Sequence, residues 1–281
     1  MTRRQFLKRA SLSALGLAGI DAVLIEPSWP AFKTQEVPIH DLPQSFDGYR
    51  IALLSDFHIP HCITRSLSDK ACELAMRFRP NLIAVPGDFV HSWDCIFGHR
   101  RGVPDLKGYF DRLAAPDGVL GVLGNHDHWL DPAGVRLRLA ADTPIELLHG
   151  ARMIERPDGA IAVCGLDDLW EKNLDLLSPF RGVPPRVPRI LLQHNPDLAE
   201  EMPSGVRVDL QLSGHTHGGH LRLPFGPALI VPSRYGNKFR EGLVRGKRHL
   251  VYVTRGVGSA TPIQARFWCR PEVTGIVLRR A

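Results

Sequence analysis

Cysteine is scarce in this chain, and what there is does not pair. Cys62, Cys72, Cys95, Cys164 and Cys269 are an odd number and form no CxxC. This argues against a disulfide framework and against a thiolate zinc site, while one disulfide formed after export stays compatible with the count. Internal repeats and low-complexity tracts are also missing, which removes solenoids and most disordered classes. No lysine–arginine run is long enough to suggest a nucleic-acid partner, and none is expected. Net charge is modest: of the +6 total, Arg3, Arg4, Lys8 and Arg9 against Asp21 and Glu26 leave +2 in the first thirty residues and +4 beyond. Such a balance suits an anionic substrate or surface, and equally an ordinary basic protein. With 44% hydrophobic and 23% charged residues, 281 residues can bury one large core or two small ones.

The N-terminus reads as an address. Thr2-Arg3-Arg4-Gln5-Phe6-Leu7-Lys8 looks like a twin-arginine export signal, and the uncharged stretch Ala10–Ile20 supplies a modest apolar segment. That stretch is short for a bilayer span. The alternative is a basic amphipathic helix. The expected destination is the periplasm or the outer face of the cytoplasmic membrane, with the twin-arginine export machinery as a partner. No clean Ala-x-Ala site follows, so the segment either stays as an anchor or is cut near residues 20–30. Residues 1–30 are set aside as signal or anchor, 31–45 as a proline-rich extended lead-in (Pro38 and Pro43 after Pro27 and Pro30), and 46–281 as one domain.

Within that domain apolar runs alternate with helical periodicity. Tyr49–Ser55, Leu82–Val85 and Val119–Leu123 read as buried strands. Residues 66–78, 104–114 and 132–141 read as helices, the first with Leu67, Ala71, Leu74, Ala75 and Phe78 on one face. Further strands are expected near 145–148, 160–164, 189–193 and 209–212. This β-α-β pattern implies an α/β fold around a largely parallel sheet. Beyond residue 220, glycine and proline become frequent and short strands are expected near 221–223, 228–231, 249–254 and 273–279, as a second sheet built mostly of hairpins.

Five polar clusters each follow the C-terminal end of a strand: Asp56-Phe57-His58, Gly87-Asp88, Gly124-Asn125-His126-Asp127, His194-Asn195, and Gly214-His215-Thr216-His217-Gly218. In an open α/β sheet that edge is where ligands bind. Imidazole, carboxylate and amide oxygen without thiolate suit manganese, iron or zinc. Seven such groups are too many for one ion. They suffice for two ions bridged by a carboxylate, about 3.5–4 Å apart, a device that clamps an in-line phosphoryl displacement and lowers the pKa of a water between them.

The ordered set DxH, GDxx, GNHD, a lone His and GHxH, spanning Leu53 to Gly219, resembles the calcineurin-like metallophosphoesterase superfamily. Phe46-Asp47-Gly48-Tyr49-Arg50-Ile51, and Gly214–Gly219 followed by Arg222-Leu223-Pro224, are similar to its bacterial exported branch, which is related to UDP-2,3-diacylglucosamine pyrophosphatases. The resemblance implies a four-layer α/β/β/α sandwich of two mixed sheets flanked by helices. It implies Asp56, His58 and His217 on a first metal, Asn125, His194 and His215 on a second, and Asp88 bridging. The cofactors implied are two divalent ions, manganese, zinc or iron, with magnesium also admissible. His126 is then the proton donor to the leaving oxygen and Asp127 the residue that orients it. The activity implied is hydrolysis of a phosphodiester or phosphoanhydride in a phospholipid, nucleotide or UDP-linked lipid at the cell envelope, so the partner is a phosphorylated small molecule or lipid, with membrane-surface association. Alternatives are a phosphomonoesterase, a non-catalytic scaffold and a metal-sequestering envelope protein.

Other residues carry less. His61, His91, His128 and His220 stand beside the clusters as cleft or loop residues, and the resemblance leads one to expect an amide where His220 stands. His40, His99, His149 and His249 have no assigned role. Arg100-Arg101 reads as a solvated loop or a phosphate contact. Phe57, Trp93 and Trp129 read as packing residues rather than stacking platforms.

Overall fold

The structure, a computed structural model, describes residues 2–60, 65–92, 102–170, 174–260 and 265–281. In chain order its regular elements are α1 (Arg3–Ile20), β1 (Ala31–Ile39), β2 (Arg50–Leu53), α2 (Arg65–Arg77), β3 (Leu82–Pro86), β4 (Val119–Val122), α3 (Asn125–Leu130), α4 (Pro132–Asp142), β5 (Ile145–Leu147), β6 (Gly150–Arg156), β7 (Gly159–Gly165), β8 (Arg189–Leu192), α5 (Leu198–Glu201), β9 (Leu210–Ser213), β10 (Gly242–Arg245), β11 (Leu250–Val253) and β12 (Glu272–Arg280).

Side chains alternate across a strand, and here both faces are apolar, so each strand feeds two cores. Ile51 and Leu53 of β2 join Leu82, Leu120, Ile161, Leu192, Leu210 and Leu212 in a layer between two sheets. Ala52 and Leu54 turn the other way and pack with Ala71 and Ala75 of α2 and with Val135 and Leu139 of α4. On the far side, Ala162, Cys164 and Leu191 pack with Leu198 and Phe180. The result is the expected sandwich: helices, sheet, sheet, and a thinner outer layer of short helices and loops. A buried leucine in the central layer stabilises by roughly 1.5–3 kcal/mol.

The two sheets have six strands each, ordered β1-β12-β2-β3-β4-β5 and β10-β11-β9-β8-β7-β6. In the first, β2 to β5 run parallel and β12 is antiparallel to β2. In the second, β7, β8, β9 and β11 run parallel, and antiparallel β6 and β10 close the edges. Parallel strands set all their C-terminal ends at one rim, and that rim carries the polar clusters.

Several expectations need correction. No helix forms near 104–114. Gly102 and Gly108 take positive φ, and the Asp105 and Asp111 carboxylates capture the amides of Lys107 and Gly108, so the backbone follows turns instead. Leu106, Phe110 and Leu113 are still buried, and their helix-like spacing is what misleads. The second sheet is not built mostly of hairpins after residue 220: it begins at Gly150, and its middle is parallel. Near 221–223 and 228–231 there are only isolated bridges, Leu221 to Phe267 and Arg222 to Ala228. The last strand, β12, leaves the second sheet and enters the first. Residues 31–45, set aside as a lead-in, contain β1, which pairs with β12 over Ala31–Ile39.

Helical backbone at the N-terminus runs beyond the apolar stretch, from Arg3 to Ser28 over 26 residues, and it is long and apolar enough to cross a membrane by length and composition. It starts with a capping box, Thr2 and Gln5 each accepting the other's amide.

Candidate metal centre

The backbone at the rim is unusual before any side chain is considered. Asp56, His58, Asp88, His215 and His217 all adopt positive φ, between 49° and 70°. Left-handed backbone is uncommon outside glycine, although Asp and His adopt it more readily than most, and a cluster of it persists where the surrounding structure enforces a geometry. The neighbouring glycines explain how the turns close. A Cβ on Gly214 would collide with the Asp56 carboxylate and Ser55 Oγ, and one on Gly124 with the Asp88 carboxylate. The strand ends approach too closely for any larger residue.

These turns bring the dispersed residues together. His58 Nε2 lies 3.0 Å from His217 Nε2. His217 Nε2 is 3.4 Å from Asp56 Oδ1, and Asp88 Oδ2 stands 3.5 Å from His58 Nε2 and 3.1 Å from His194 Nε2. His215 Nδ1 is 2.9 Å from Asn125 Oδ1. All seven side chains are buried, at 5% exposure or less. Backbone amides hold the carboxylates: His215 N donates to Asp56 Oδ1, and His126 N to Asp88 Oδ1. His194 Nδ1 faces the Pro86 carbonyl at 2.7 Å and donates to it, which aims Nε2 at Asp88 and joins the two sheets at the rim.

Lone-pair nitrogens and carboxylate oxygens crowded at 3.0–3.5 Å are poorly matched as hydrogen bonds and well matched as groups sharing a cation. Asp56 Oδ2, His194 Nε2 and His215 Nε2 are buried without a hydrogen-bond partner. Two ligand groups of three, Asp56–His58–His217 and Asp56–Asp88–His194, are compact enough to hold an ion, as is a third, His58–His91–His126. The donor set therefore fits divalent metal.

Electrostatics of the metal-free cluster follow from burial. Burial opposes charge on His194, but Asp88, Asp56 and Asp168 outweigh it and raise its pKa well above the ordinary range. Asp88 is correspondingly held below the usual carboxylate range: burial pushes it up, and the surrounding imidazoles, His194 foremost, overcome that. Burial lifts Asp56 to about 6, against the pull of His194 and with Asp88 adding to the rise. His58 and His217 are pushed well below 6.5 by burial and by neighbouring cationic groups. Burial and His194 take His215 to about 3.

His126 and Asp127 both lie at this rim. The Asp127 carboxylate accepts from the amides of Val90 and Gly124, tying the second and third clusters together. The group on His126 Nδ1 is Ser92, with Oγ at 2.9 Å and its backbone N–H at 3.3 Å. An amide donating to Nδ1 leaves the proton of the neutral ring on Nε2. Ser92 thus contacts His126 through Nδ1.

The structure also adds residues that sequence reading left aside. His91 is buried, with Nδ1 3.3 Å from His58 Nδ1 and its ring stacked on His126. Asp168, fully buried and pushed up to about 6 by burial, adds negative charge around His194. His220 stacks on His217 at 4.4 Å. Trp129 stacks on Trp170, which meets His215 edge-on, so Trp129 does belong to a platform. Arg266, only 1% exposed, sets Nη2 3.5 Å from His217 Nδ1 and also donates to backbone carbonyls and to Cys269 Sγ. No motif surrounds Asp168 or Arg266; a buried charge is visible only once burial is known. His128 turns toward Asp167, His149 toward Arg136, and His249 bonds Gln211. His61, Trp93, Cys95, His99 and Arg100-Arg101 lie outside the described residues.

From these groups opens a cleft of about 450 Å³, with Asp88, Asn125, His126, His215 and His217 at its polar end and Trp129, Trp170, Leu221, Leu229 and Ile230 along apolar walls.

Comparison with known proteins gives this geometry a context. The family model for calcineurin-like phosphoesterase matches residues 49–219. The chain is 33% identical to the uncharacterized metallophosphoesterase YkuE of Bacillus subtilis, over 99% of this chain and 98% of that protein. It is 30% identical to the phosphodiesterase YaeI of Escherichia coli, over 99% of each. Identity to the UDP-2,3-diacylglucosamine pyrophosphatase LpxG of Chlamydia muridarum is 25%, over 83% of this chain and 85% of that one.

Proposed function

Because the chain belongs to the calcineurin-like phosphoesterase family, we propose that it hydrolyses a phosphodiester or phosphoanhydride carrying an apolar substituent, at the cell envelope, with two divalent ions. It is a metal-dependent hydrolase. The observation that carries the finer reading is the convergence of seven buried ligand-type side chains from five strand ends, their ring nitrogens and carboxylate oxygens facing one another at 3.0–3.5 Å.

In this reading Asp56, His58 and His217 hold one ion, and Asn125, His194 and His215 the other. Asp88 serves both, because its Oδ2 faces His58 and His194 together. When bound, the ions supply charge neutralisation at the phosphate and acidify a water. The remaining work falls to the chain. His126, held through Nδ1 by Ser92, presents its Nε2 proton to the leaving oxygen. Asp127 keeps the Val90 and Gly124 turns at fixed separation, and with them Asp88 and His126. Trp129, Trp170, Leu221, Leu229 and Ile230 form walls that receive an apolar group attached to the phosphate and exclude water. Such a cleft favours a lipid-like ester over a bare phosphomonoester. Relatives named as a phosphodiesterase and as a UDP-2,3-diacylglucosamine pyrophosphatase support the same substrate class.

Location is part of the proposal. Arg3 and Arg4 ahead of an exposed apolar helix support export by the twin-arginine route and attachment at the outer face of the cytoplasmic membrane.

Elemental analysis of the purified protein, combined with turnover of bis-p-nitrophenyl phosphate, p-nitrophenyl phosphate and a UDP-linked lipid, tests the reading. The expected result is two ions per chain and preference for the diester or anhydride. Full metal content with no turnover of any of the three would reject the enzymatic role.

A further inference from the structure

We infer that the apolar lip of the cleft, Leu223, Phe225, Leu229, Ile230 and Trp268, is a docking surface for the lipid bilayer that holds the N-terminal helix. This rests on the envelope location proposed above and is independent of whether hydrolysis occurs.

The lip is exposed in a way that folding alone does not favour. Phe225 is 96% exposed, Ile230 78%, Leu229 63%, Leu223 52% and Trp268 45%. Single exposed apolar residues are ordinary, but a contiguous group marks a contact surface. This group is contiguous: Phe225 meets Trp268 edge-on at 4.7 Å, and Leu221, beside Leu229 and Ile230 in the cleft wall, bridges to Phe267.

What identifies the occupant is where the N-terminal helix ends. Along Arg3–Ser28 the apolar side chains Leu12, Leu15, Leu17, Ile20 and Leu24 lie open. The lower end of that segment is fastened to the lip. Ala22 accepts from the Arg266 amide at 2.8 Å, and the buried Glu26 carboxylate accepts from the amides of Trp268, at 2.9 Å, and Cys269. Three residues on from Glu26, Trp29 is 60% exposed with the Arg270 guanidinium 3.9 Å over its ring. Tryptophan with arginine at the end of an apolar helix is the composition of a membrane–water boundary. A bilayer around the helix therefore reaches the lip through the same short segment, 265–270. The cleft mouth then opens at the lipid surface, where an amphiphile can pass its phosphate to the polar end without its apolar part crossing water. The fastening also bears on processing: cleavage between residues 26 and 30 would remove the Glu26 anchor from Trp268 and Cys269.

The test uses the full chain reconstituted in lipid nanodiscs, with either ordinary or brominated acyl chains. Tryptophan fluorescence is compared between wild type and Trp268→Phe, so the difference isolates Trp268. Docking predicts that brominated chains quench the Trp268 signal, as for an interfacial tryptophan. The double variant Leu223→Glu, Phe225→Glu should largely abolish that quenching. It should also lower kcat/KM on a disc-embedded phosphodiester about tenfold while leaving soluble bis-p-nitrophenyl phosphate unchanged, since neither residue lines the cleft. Equal Trp268 fluorescence in both lipids overturns the inference, and equal fluorescence with two copies per disc reassigns the lip to self-association. Loss of soluble-ester turnover in wild type would instead strike the hydrolase reading and leave the quenching result to decide docking.

Discussion

The two halves of the ligand cluster are built differently. Asn125, His194 and His215 stand almost directly on strand ends, braced by the Pro86 carbonyl and a tryptophan wall. His217 depends on remote chain: Arg266 lies behind its ring, Cys269 Sγ donates to its carbonyl at 3.1 Å, and Arg222 holds the Gly218 carbonyl while paired with Glu241. One half is assembled by the sheet. In the other, Asp56 and His58 follow β2 directly, whereas His217 is positioned by the 220–270 segments, which contain no ligand motif. The difference teaches that a short motif can name a ligand without containing what positions it.

Substitutions can break or sharpen that contrast. Asp88→Ala should have the largest effect, because its carboxylate serves both halves: elemental analysis should find both ions depleted, and turnover should fall beyond about a thousandfold. His126→Ala should keep the metal and lose about 10²–10⁴ in turnover of a poorly activated ester; unchanged turnover removes His126 from the chemistry. His217→Ala and His194→Ala should each weaken one ion more than the other, by at least about tenfold in titration. Equal loss of both ions in either variant would erase the distinction between halves.

Acid should act on the His217 side. Glu241 is held at about 2: burial pushes it up, and the bonds and charge of Arg222, with Arg255, more than reverse that. A folded-state pKa below the unfolded value of 4.5 contributes stability above that pH and loses it as pH falls from 4.5 toward 2. Glu241→Gln should remove on the order of 2 kcal/mol at neutral pH and flatten the decline in acid unfolding midpoints. Smallest is Ser92→Ala, expected to lower turnover a few-fold and to shift the pH–rate profile, because His126 loses a partner at Nδ1. A Ser92→Ala profile identical to wild type would show that the ring is positioned by other contacts.

Sequence alone determined the parts that depend on local chemistry: apolar strands short enough to be buried on both faces, polar clusters at their C-terminal ends, glycines where only backbone fits, and so the α/β class and the rim at which the polar clusters meet. Tertiary structure decided what depends on distant residues meeting. β1 and β12 complete the first sheet across some 240 residues, and the buried Glu26 carboxylate finds its partners, the amides of Trp268 and Cys269, equally far along the chain. Ser92, from a loop more than thirty residues earlier, reaches His126. The reason is physical: backbone propensity and side-chain periodicity are written over a few residues, whereas burial, which sets the worth of every charge and hydrogen bond, is a property of the whole packed chain.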